Sequence, residues 1–371
     1  MILKSIELCN FRNYEREEFE FHEGTNVLYG DNAQGKTNVL EAIFVGGTTK
    51  SHKGSKDLEM IRNGEKEAHL RYFIEKRQRT SKVEIHLKRG SSKGIAIDGL
   101  PIKNSNEILG LSNIIFFSPE DLSIIKDGPE ERRRFIDMEM CQLNKAYLYY
   151  LTQYKKILKQ RNALLKQIQE NRGLKDTLEI WNSQLIEHGK KIIALRQEFI
   201  DSLNEIMKKK HRSLTGDKES IEVSYKPNCP AETMADRLFL EEERDIFLGT
   251  TSVGPHRDDM VFEIEDKDLR KYGSQGQKRT AALSLKMAEI EIVEKTIGEK
   301  PILLLDDVLS ELDRNRQNYL LENIKGIQTI ITCTGLEEFV KNGINIDRTF
   351  EIINGRKISE SAPRPSGADQ L

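Results

Sequence analysis

Cysteine is scarce. The four residues Cys9, Cys141, Cys229 and Cys333 are scattered and form no C-x-x-C pair. That argues against zinc and for a reducing compartment, so a cytoplasmic location is expected. Long apolar runs are missing too: none approaches the roughly 20 residues that a membrane-spanning helix needs. The opening segment, Met1-Ile2-Leu3-Lys4-Ser5-Ile6, enters an alternating strand pattern directly and lacks the apolar core of a signal peptide. No internal repeat is visible. An excess of positive charge is also absent, since 58 Lys and Arg against 60 Asp and Glu leave a net charge of −2. A surface for nucleic acid must therefore be a local patch. What remains is 371 residues with 37% hydrophobic and 32% charged side chains. This suits a soluble chain of two or three structural units with exposed helices.

The centre of the chain is the stretch Thr25 to Asn38. A short apolar strand (Val27 to Tyr29) runs into G-x-x-x-x-G-K-T, and a helix follows with apolar residues at Val39, Leu40, Ala42, Ile43 and Phe44. Strand, loop and helix is the context a phosphate-binding loop requires. Gly30 and Gly35 let successive N–H groups turn inward, and the helix adds the partial positive charge of its N-terminus. Lys36 would reach the β- and γ-phosphates of ATP, and the Thr37 hydroxyl would complete the shell of Mg²⁺. The plain alternative is a glycine-rich turn with a chance lysine.

A second stretch bears on that choice. Pro301-Ile302-Leu303-Leu304-Leu305-Asp306-Asp307 is a continuous apolar run ending in two carboxylates, as expected of a parallel strand buried on both faces. Ligands of open α/β sheets lie at the carboxyl ends of strands, where Asp306 would stand and hold Mg²⁺ opposite Thr37. Asp307 is placed to position an attacking water. A strand followed by an Asp-capped helix is the alternative, and the loop at Lys36 weighs against it.

Along the chain, alternation predicts strands at Ile2 to Cys9, Glu18 to His22, Ala68 to Ile74, Ser81 to Leu87 and Gly94 to Ile97, with a hairpin turn at Asp98-Gly99. Ile114 to Phe117 reads as an inner strand. From Pro129 the period becomes helical. Leu151, Tyr154, Leu158, Leu165 and Ile168 face Leu178, Trp181, Leu185, His188, Ile192, Leu195, Phe199 and Ile206 across a turn at Asn171-Arg172-Gly173. Two long antiparallel helices result, a coiled-coil-like hairpin on the order of 50 Å long, with Trp181 and His188 in its seam. Further strands are expected at Ile221 to Tyr225, Met260 to Ile264, Thr329 to Thr332 and Thr349 to Ile353. Helices are expected at Met234 to Arg244, Gln275 to Gly298 and after Glu311. Two basic runs, Lys208 to Arg212 and Arg132 to Arg134, are candidate DNA contacts or solvated helix faces.

A third motif precedes the helix that leads to Asp306. In Tyr272-Gly273-Ser274-Gln275-Gly276-Gln277-Lys278-Arg279 a small hydroxyl, a glycine and a polar side chain stand at a helix N-terminus, which makes a second anion site. This resembles the signature motif of the ABC ATPases, and Ser310-Glu311-Leu312-Asp313 resembles their D-loop. The resemblance narrows to the RecF family through Asn10-Phe11-Arg12-Asn13-Tyr14, Thr49-Lys50-Ser51-His52, Phe117 to Leu122, Arg132 to Phe135, Gln160-Arg161-Asn162 and Gly254 to Asp259, in family order.

That resemblance implies an α/β fold: an ABC-type P-loop ATPase head built from both chain ends, with an inserted helical, coiled-coil-like lobe. The expected division is 1–128 and 251–357 for the head halves, 129–250 for the lobe, and 358–371 as a disordered tail. It implies ATP and Mg²⁺ held by Gly30, Asp31, Asn32, Ala33, Gln34, Gly35, Lys36, Thr37 and Asn38, with Ser274, Gly276, Gln277 and Asp313 closing on the nucleotide of a second copy. Lys36, Asp306 and Asp307 are the expected catalytic groups, and Thr37 and Asp306 the metal ligands. An ATP-dependent homodimer with slow hydrolysis, on double-stranded or gapped DNA, is implied, as is partnership with RecR and, through it, RecO and RecA. Two features depart from the wider ABC pattern. Asp307 replaces a glutamate, and Thr332-Cys333-Thr334 stands where a switch histidine is usual. A transporter subunit, an SMC head and a scaffold with a vestigial nucleotide site are the other readings.

Overall fold

The computed structural model describes residues 1–336 and 345–361. The chain starts with β1 (Ile2–Phe11), β2 (Tyr14–Glu20), β3 (Thr25–Tyr29), α1 (Lys36–Thr48), β4 (Glu67–Lys76), β5 (Arg79–Lys88), β6 (Gly94–Ile97), β7 (Leu100–Pro101) and β8 (Ile114–Phe117). There follow α2 (Leu122–Lys126), α3 (Pro129–Leu143), α4 (Lys145–Glu170), α5 (Leu178–Thr215), β9 (Ile221–Lys226), α6 (Met234–Leu240), α7 (Glu242–Leu248), β10 (Asp259–Ile264), β11 (Lys267–Asp268), α8 (Leu269–Tyr272) and α9 (Gln275–Ile297). The chain continues with β12 (Ile302–Asp306), α10 (Arg314–Asn323), β13 (Thr329–Cys333), β14 (Arg348–Ile353) and β15 (Arg356–Ser361). It divides into two units, Met1–Asp121 with Glu289–Leu371, and Leu122–Ala288.

The first unit has two six-stranded sheets. One is antiparallel, in the order β2-β1-β4-β5-β6-β7. Its founding strand buries Leu3, Ile6 and Leu8, a break in strict alternation. A register shift between Leu3 and Ser5 explains it, because the bulge resets the phase so that apolar residues on both sides face the core. The other sheet has the order β15-β14-β3-β13-β12-β8, with every pairing from β14 to β8 parallel and β15 antiparallel. Its strands Val27-Leu28 and Ile302 to Leu305 are buried on both faces, as their unbroken apolar runs dictate. This sheet is thus built from both ends of the chain, and β3 takes a partner on each side from beyond residue 328. Gln328 fastens the same junction: its side chain accepts from Leu3 N at 2.7 Å and donates to Leu3 O and His22 O at 2.8 and 2.9 Å.

Some expectations need correcting. Ile114 to Phe117 is buried but, among the described residues, pairs only with β12, so it is an edge strand covered on its faces. The second strand begins at Tyr14 and not at Glu18. A tail was expected from 358, yet Arg356–Ser361 pairs with β14. Asn354-Gly355 makes the turn between them with φ of 48° and 70°, the two-residue Asn-Gly hairpin. Residues 362–371, the rest of the expected tail, lie outside the described residues.

In the second unit α4 and α5 pack as the expected hairpin. The buried stripe of α5 runs Leu185, Gly189, Ile192, Arg196, Ile200, Leu203 and Met207, so Arg196 is inside where Leu195 was expected. Trp181, His188, Leu195 and Phe199 are half-buried at its margin. Two arginines cause the shift. Arg161, 0% exposed, pairs with Asp245 at 2.8 Å, Thr251 Oγ1 at 2.7 Å and Asn182 Oδ1 at 2.7 Å. Arg196 donates to Asp258 at 3.0 Å, Asp137 at 2.8 Å, Tyr147 OH at 3.0 Å and Pro255 O at 2.7 Å. Arg132 is likewise buried, on Asp259 at 2.6 Å, and Arg133 donates to Asp258 O. Two of the three arginines of that run are thus structural. The helix expected from Met234 to Arg244 is two short ones, broken at Glu241 (φ −91°, ψ 3°). A small sheet of β11, β10 and β9 completes the unit.

His256 generates a test of this network. Its Nε2 donates to Thr251 O at 2.9 Å, which leaves Nδ1 of the neutral ring to accept from Tyr154 OH at 2.7 Å. Burial pushes its pKa down to about 4. The folded value lies below the unfolded one of about 6.5, so stability is intact above that pH and is lost as the pH falls toward 4. The loss should total about 3 kcal/mol. His256→Gln should be less stable than wild type at pH 7 but lose less between pH 6.5 and pH 4.5. Urea midpoints at both pH values, falling in parallel for the two proteins, would contradict this.

Candidate functional site

The loop between β3 and α1 curls as its glycines require. Gly30 has φ 142° and Gly35 φ 114°. A Cβ on Gly30 would stand 2.4 Å from the Ile352 carbonyl oxygen, and one on Gly35 2.5 Å from Asn13 Nδ2. Two segments grip the loop. Asn13 Nδ2 donates to Gln34 O at 3.0 Å, and Asn13 Oδ1 accepts from Asn38 Nδ2 at 2.8 Å. Tyr14 OH donates to Gly35 O at 3.1 Å. From the β14–β15 turn, Asn354 N donates to Gln34 Oε1 at 2.7 Å and Gly355 N to Gln34 O at 2.9 Å.

Lys36 opens α1, buried to 8% exposure, with Nζ donating to Gly30 O and Asp31 O, both at 2.6 Å. Burial lowers its pKa, opposed by the nearby Cys333, Asp307, Asp306 and Asp31. The loop carbonyls therefore hold a cation that has shed most of its water, poised for a better anionic partner.

Across the cavity, Asp306 ends β12. Its Oδ1 accepts from Thr37 Oγ1 at 2.8 Å and from Thr332 Oγ1 at 2.7 Å. Thr332 Oγ1 in turn accepts from Asp307 N at 3.0 Å. Asp307 has φ 53° and lies exposed at the cavity wall. One threonine from β13 thus fixes both Asp306 at the end of β12 and Asp307 just beyond it, a role its position in the sequence did not signal. The cavity holds about 250 Å³ and is lined by Asn32 to Asn38, Lys53, Asp306, Asp307, Thr332 and Thr334. Lys53 and Thr334 had carried no site expectation. Glu120 and Asp121 are not among its lining, and Asp121 instead accepts from Ser118 N at 2.7 Å.

Behind the loop, Glu41 of α1 is 1% exposed and takes two bonds of 2.7 Å from Arg12 and one of 2.5 Å from Ser51 Oγ. Burial alone would raise its pKa, but the guanidinium and hydroxyl outweigh it and hold the carboxyl below its usual range. The Asn10 to Tyr14 and Thr49 to His52 stretches therefore meet on the helix that the phosphate loop opens.

The remaining predicted residues have local roles of their own. Ser274 Oγ accepts from Gln277 N at 3.2 Å and Gln277 Oε1 from Ser274 N at 2.9 Å, a capping box at the start of α9 in the second unit. Gly276 lies between them, exposed like Gln275. Asp313 caps α10, accepting from Arg316 N at 3.0 Å.

The profile of the RecF/RecN/SMC N terminal domain matches residues 2–357. The chain is 55% identical over 356 residues to the DNA replication and repair protein RecF of Agathobacter rectalis, covering 96% of this chain and 98% of that one. The same protein of Lachnoclostridium phytofermentans is 58% identical over 355 residues, covering 96% and 99%. The chain belongs to the RecF family. A solved RecF-ATP structure, described as the recombination mediator of the RecFOR pathway, superposes with a TM-score of 0.90 at 39% identity, covering 98% and 97% of the two chains. The Smc head of Pyrococcus furiosus, at 18% identity and a TM-score of 0.56, shares the fold. An α/β head of the ABC class with an inserted helical lobe accounts for all of these likenesses.

The glycine geometry is testable in the protein alone. Gly30→Ala would force a Cβ against backbone in a left-handed conformation. It should lower stability by about 2 kcal/mol, measured as a shift of the urea unfolding midpoint. A midpoint equal to wild type would mean the loop relaxes without strain.

Proposed function

We propose that the chain is an ATPase that binds ATP at Lys36 and dimerises around two nucleotides on DNA. The observation that carries this is the convergence of Lys36, Thr37, Asp306 and Asp307 on one cavity lined by the loop residues Asn32 to Gly35. Residues Gly30 to Asn38 would hold the phosphates. Thr37 Oγ1 and Asp306 Oδ1, 2.8 Å apart, are hard oxygen donors of the kind that Mg²⁺ takes, so these two residues fit the metal. Bound there, Mg²⁺ would neutralise charge on the β- and γ-phosphates. Lys36 would exchange its loop carbonyls for phosphate oxygens. Asp307, held by Thr332, would orient water for attack.

Ser274, Gly276 and Gln277 would meet the γ-phosphate bound to the partner copy, with Asp313 nearby. ATP would then stabilise the dimer through its greater affinity for the closed state. RecF family membership supports the rest of the reading: double-stranded or gapped DNA as the substrate surface, slow DNA-stimulated hydrolysis in the cytoplasm, and action with RecR and RecO in loading RecA. Among the described residues no helix is long and apolar enough to cross a membrane.

The test is sedimentation with ATP and Mg²⁺ alongside single-turnover hydrolysis with and without duplex DNA. Lys36→Met should abolish ATP binding by calorimetry. Ser274→Arg should keep ATP binding but stay monomeric, and Asp307→Asn should accumulate ATP-bound dimers. A wild-type chain that remains monomeric with ATP, or a Ser274→Arg chain that dimerises, rules out the shared nucleotide.

DNA affinity should fall steeply between low and physiological salt, with little sequence preference, because no base-reading motif is present. Fluorescence anisotropy on unrelated duplexes checks it, and salt-independent binding would count against a backbone clamp.

A further inference from the structure

We propose that Glu67, His69 and His86 form a binding site for a divalent transition metal of the zinc class on the outer face of the antiparallel sheet. The placement follows from strand geometry. His69 on β4 and His86 on β5 are directly opposed in the antiparallel register, and Glu67 lies two residues before His69 on the same face. Burial confirms the face: Ala68, Leu70, Ile85 and Leu87, which alternate with them, are in the core.

One ligand atom from each of the three side chains lies within 4.8 Å of the others. The Glu67 carboxylate spans both rings, with Oε2 3.1 Å from His86 Nε2 and Oε1 3.8 Å from His69 Nε2. The two imidazoles stack with centroids 4.2 Å apart and planes 12° apart. Two imidazole nitrogens and a carboxylate oxygen are a donor set for zinc, nickel or copper rather than for Mg²⁺.

The stacked rings must turn about their side-chain torsions to aim both nitrogens at one ion, and they are free to do so because all three side chains are at least partly exposed. The site opens on a concave groove of about 740 Å³ over the same sheet face, which leaves room for water at a fourth position. The scarcity of cysteine argues only against thiolate sites. Cys9 of β1 is nevertheless opposite His69 in the register, so a thiol control belongs in the test.

The experiment titrates the full-length chain, stripped of metal, with zinc chloride against a chromophoric chelator. One zinc per wild-type chain is expected, with a rise in thermal midpoint. Partners outside the ligand shell alone are worth about 10–100-fold in affinity, so the His69→Ala/His86→Ala double variant should lose more than about 100-fold. Its midpoint without zinc should equal wild type, since both side chains are at the surface, and so should its Mg²⁺-ATP binding. Cys9→Ser should still bind. Cobalt in place of zinc should give visible bands without a thiolate charge-transfer band. No stoichiometric zinc in wild type, or zinc retained by the double variant, or zinc lost in Cys9→Ser, overturns the proposal.

Discussion

The structure of the first unit depends on hydrogen bonds between strands that are some 300 residues apart in the chain. Strand β3 carries the phosphate loop, and it pairs with β13 through Thr25 to Tyr29 and with β14 through Asn26 to Tyr29. β13 also pairs with β12, so the loop and Asp306 are separated by one strand. The spacing of neighbouring strands, about 4.8 Å, then fixes how far Thr37 is from the carboxylate. A one-residue slip of β13 would turn Thr332 to the other face and release Asp306 and Asp307 together. The register of a buried parallel sheet is thus what makes the cavity a site.

The second unit is fixed by a different means. Its hairpin helices are joined by apolar contacts, which tolerate sliding, and by buried arginines, which do not. Arg161 and Arg196 reach carboxylates that come from outside the hairpin or from α3, and each would leave an uncompensated charge if the seam moved by one turn. Removing one partner of such a pair costs about 3–5 kcal/mol. Satisfying nearly all their donors is therefore a device for specifying one register, at the expense of some stability that leucine would have supplied.

The parts of this architecture that were legible in the sequence are those encoded by short-range chemistry. G-x-x-x-x-G-K-T, the apolar run into Asp306 and Pro129 at a helix start each carry their cause within a few residues. The hairpin was legible from periodicity, but its phase was not. A pattern scored on apolar residues puts Leu195 inside, whereas the buried position is Arg196, whose partners Asp137 and Asp258 lie far away in the chain. The same reason hid Thr332, which acts through two residues of another strand. The Arg132 to Arg134 run resembles a surface patch until Asp259 is placed beside it. The polar edge strand β15 carries no apolar alternation at all, and only Asn354-Gly355 announces it.

The grip of the β14–β15 turn on Gln34 has a consequence for the making of the protein. During synthesis β3 leaves the ribosome early, yet both its neighbours and the turn that holds Gln34 are among the last segments to follow. At about 5–20 residues per second, the interval between Tyr29 and Ile353 is about 15 to 65 s. For that time the apolar strand Val27-Leu28 has two open edges, the condition that invites pairing with a neighbouring chain. A chain released before residue 348 would lack β14 and could not assemble the loop. The loop can therefore be organised only once residue 355 has been made.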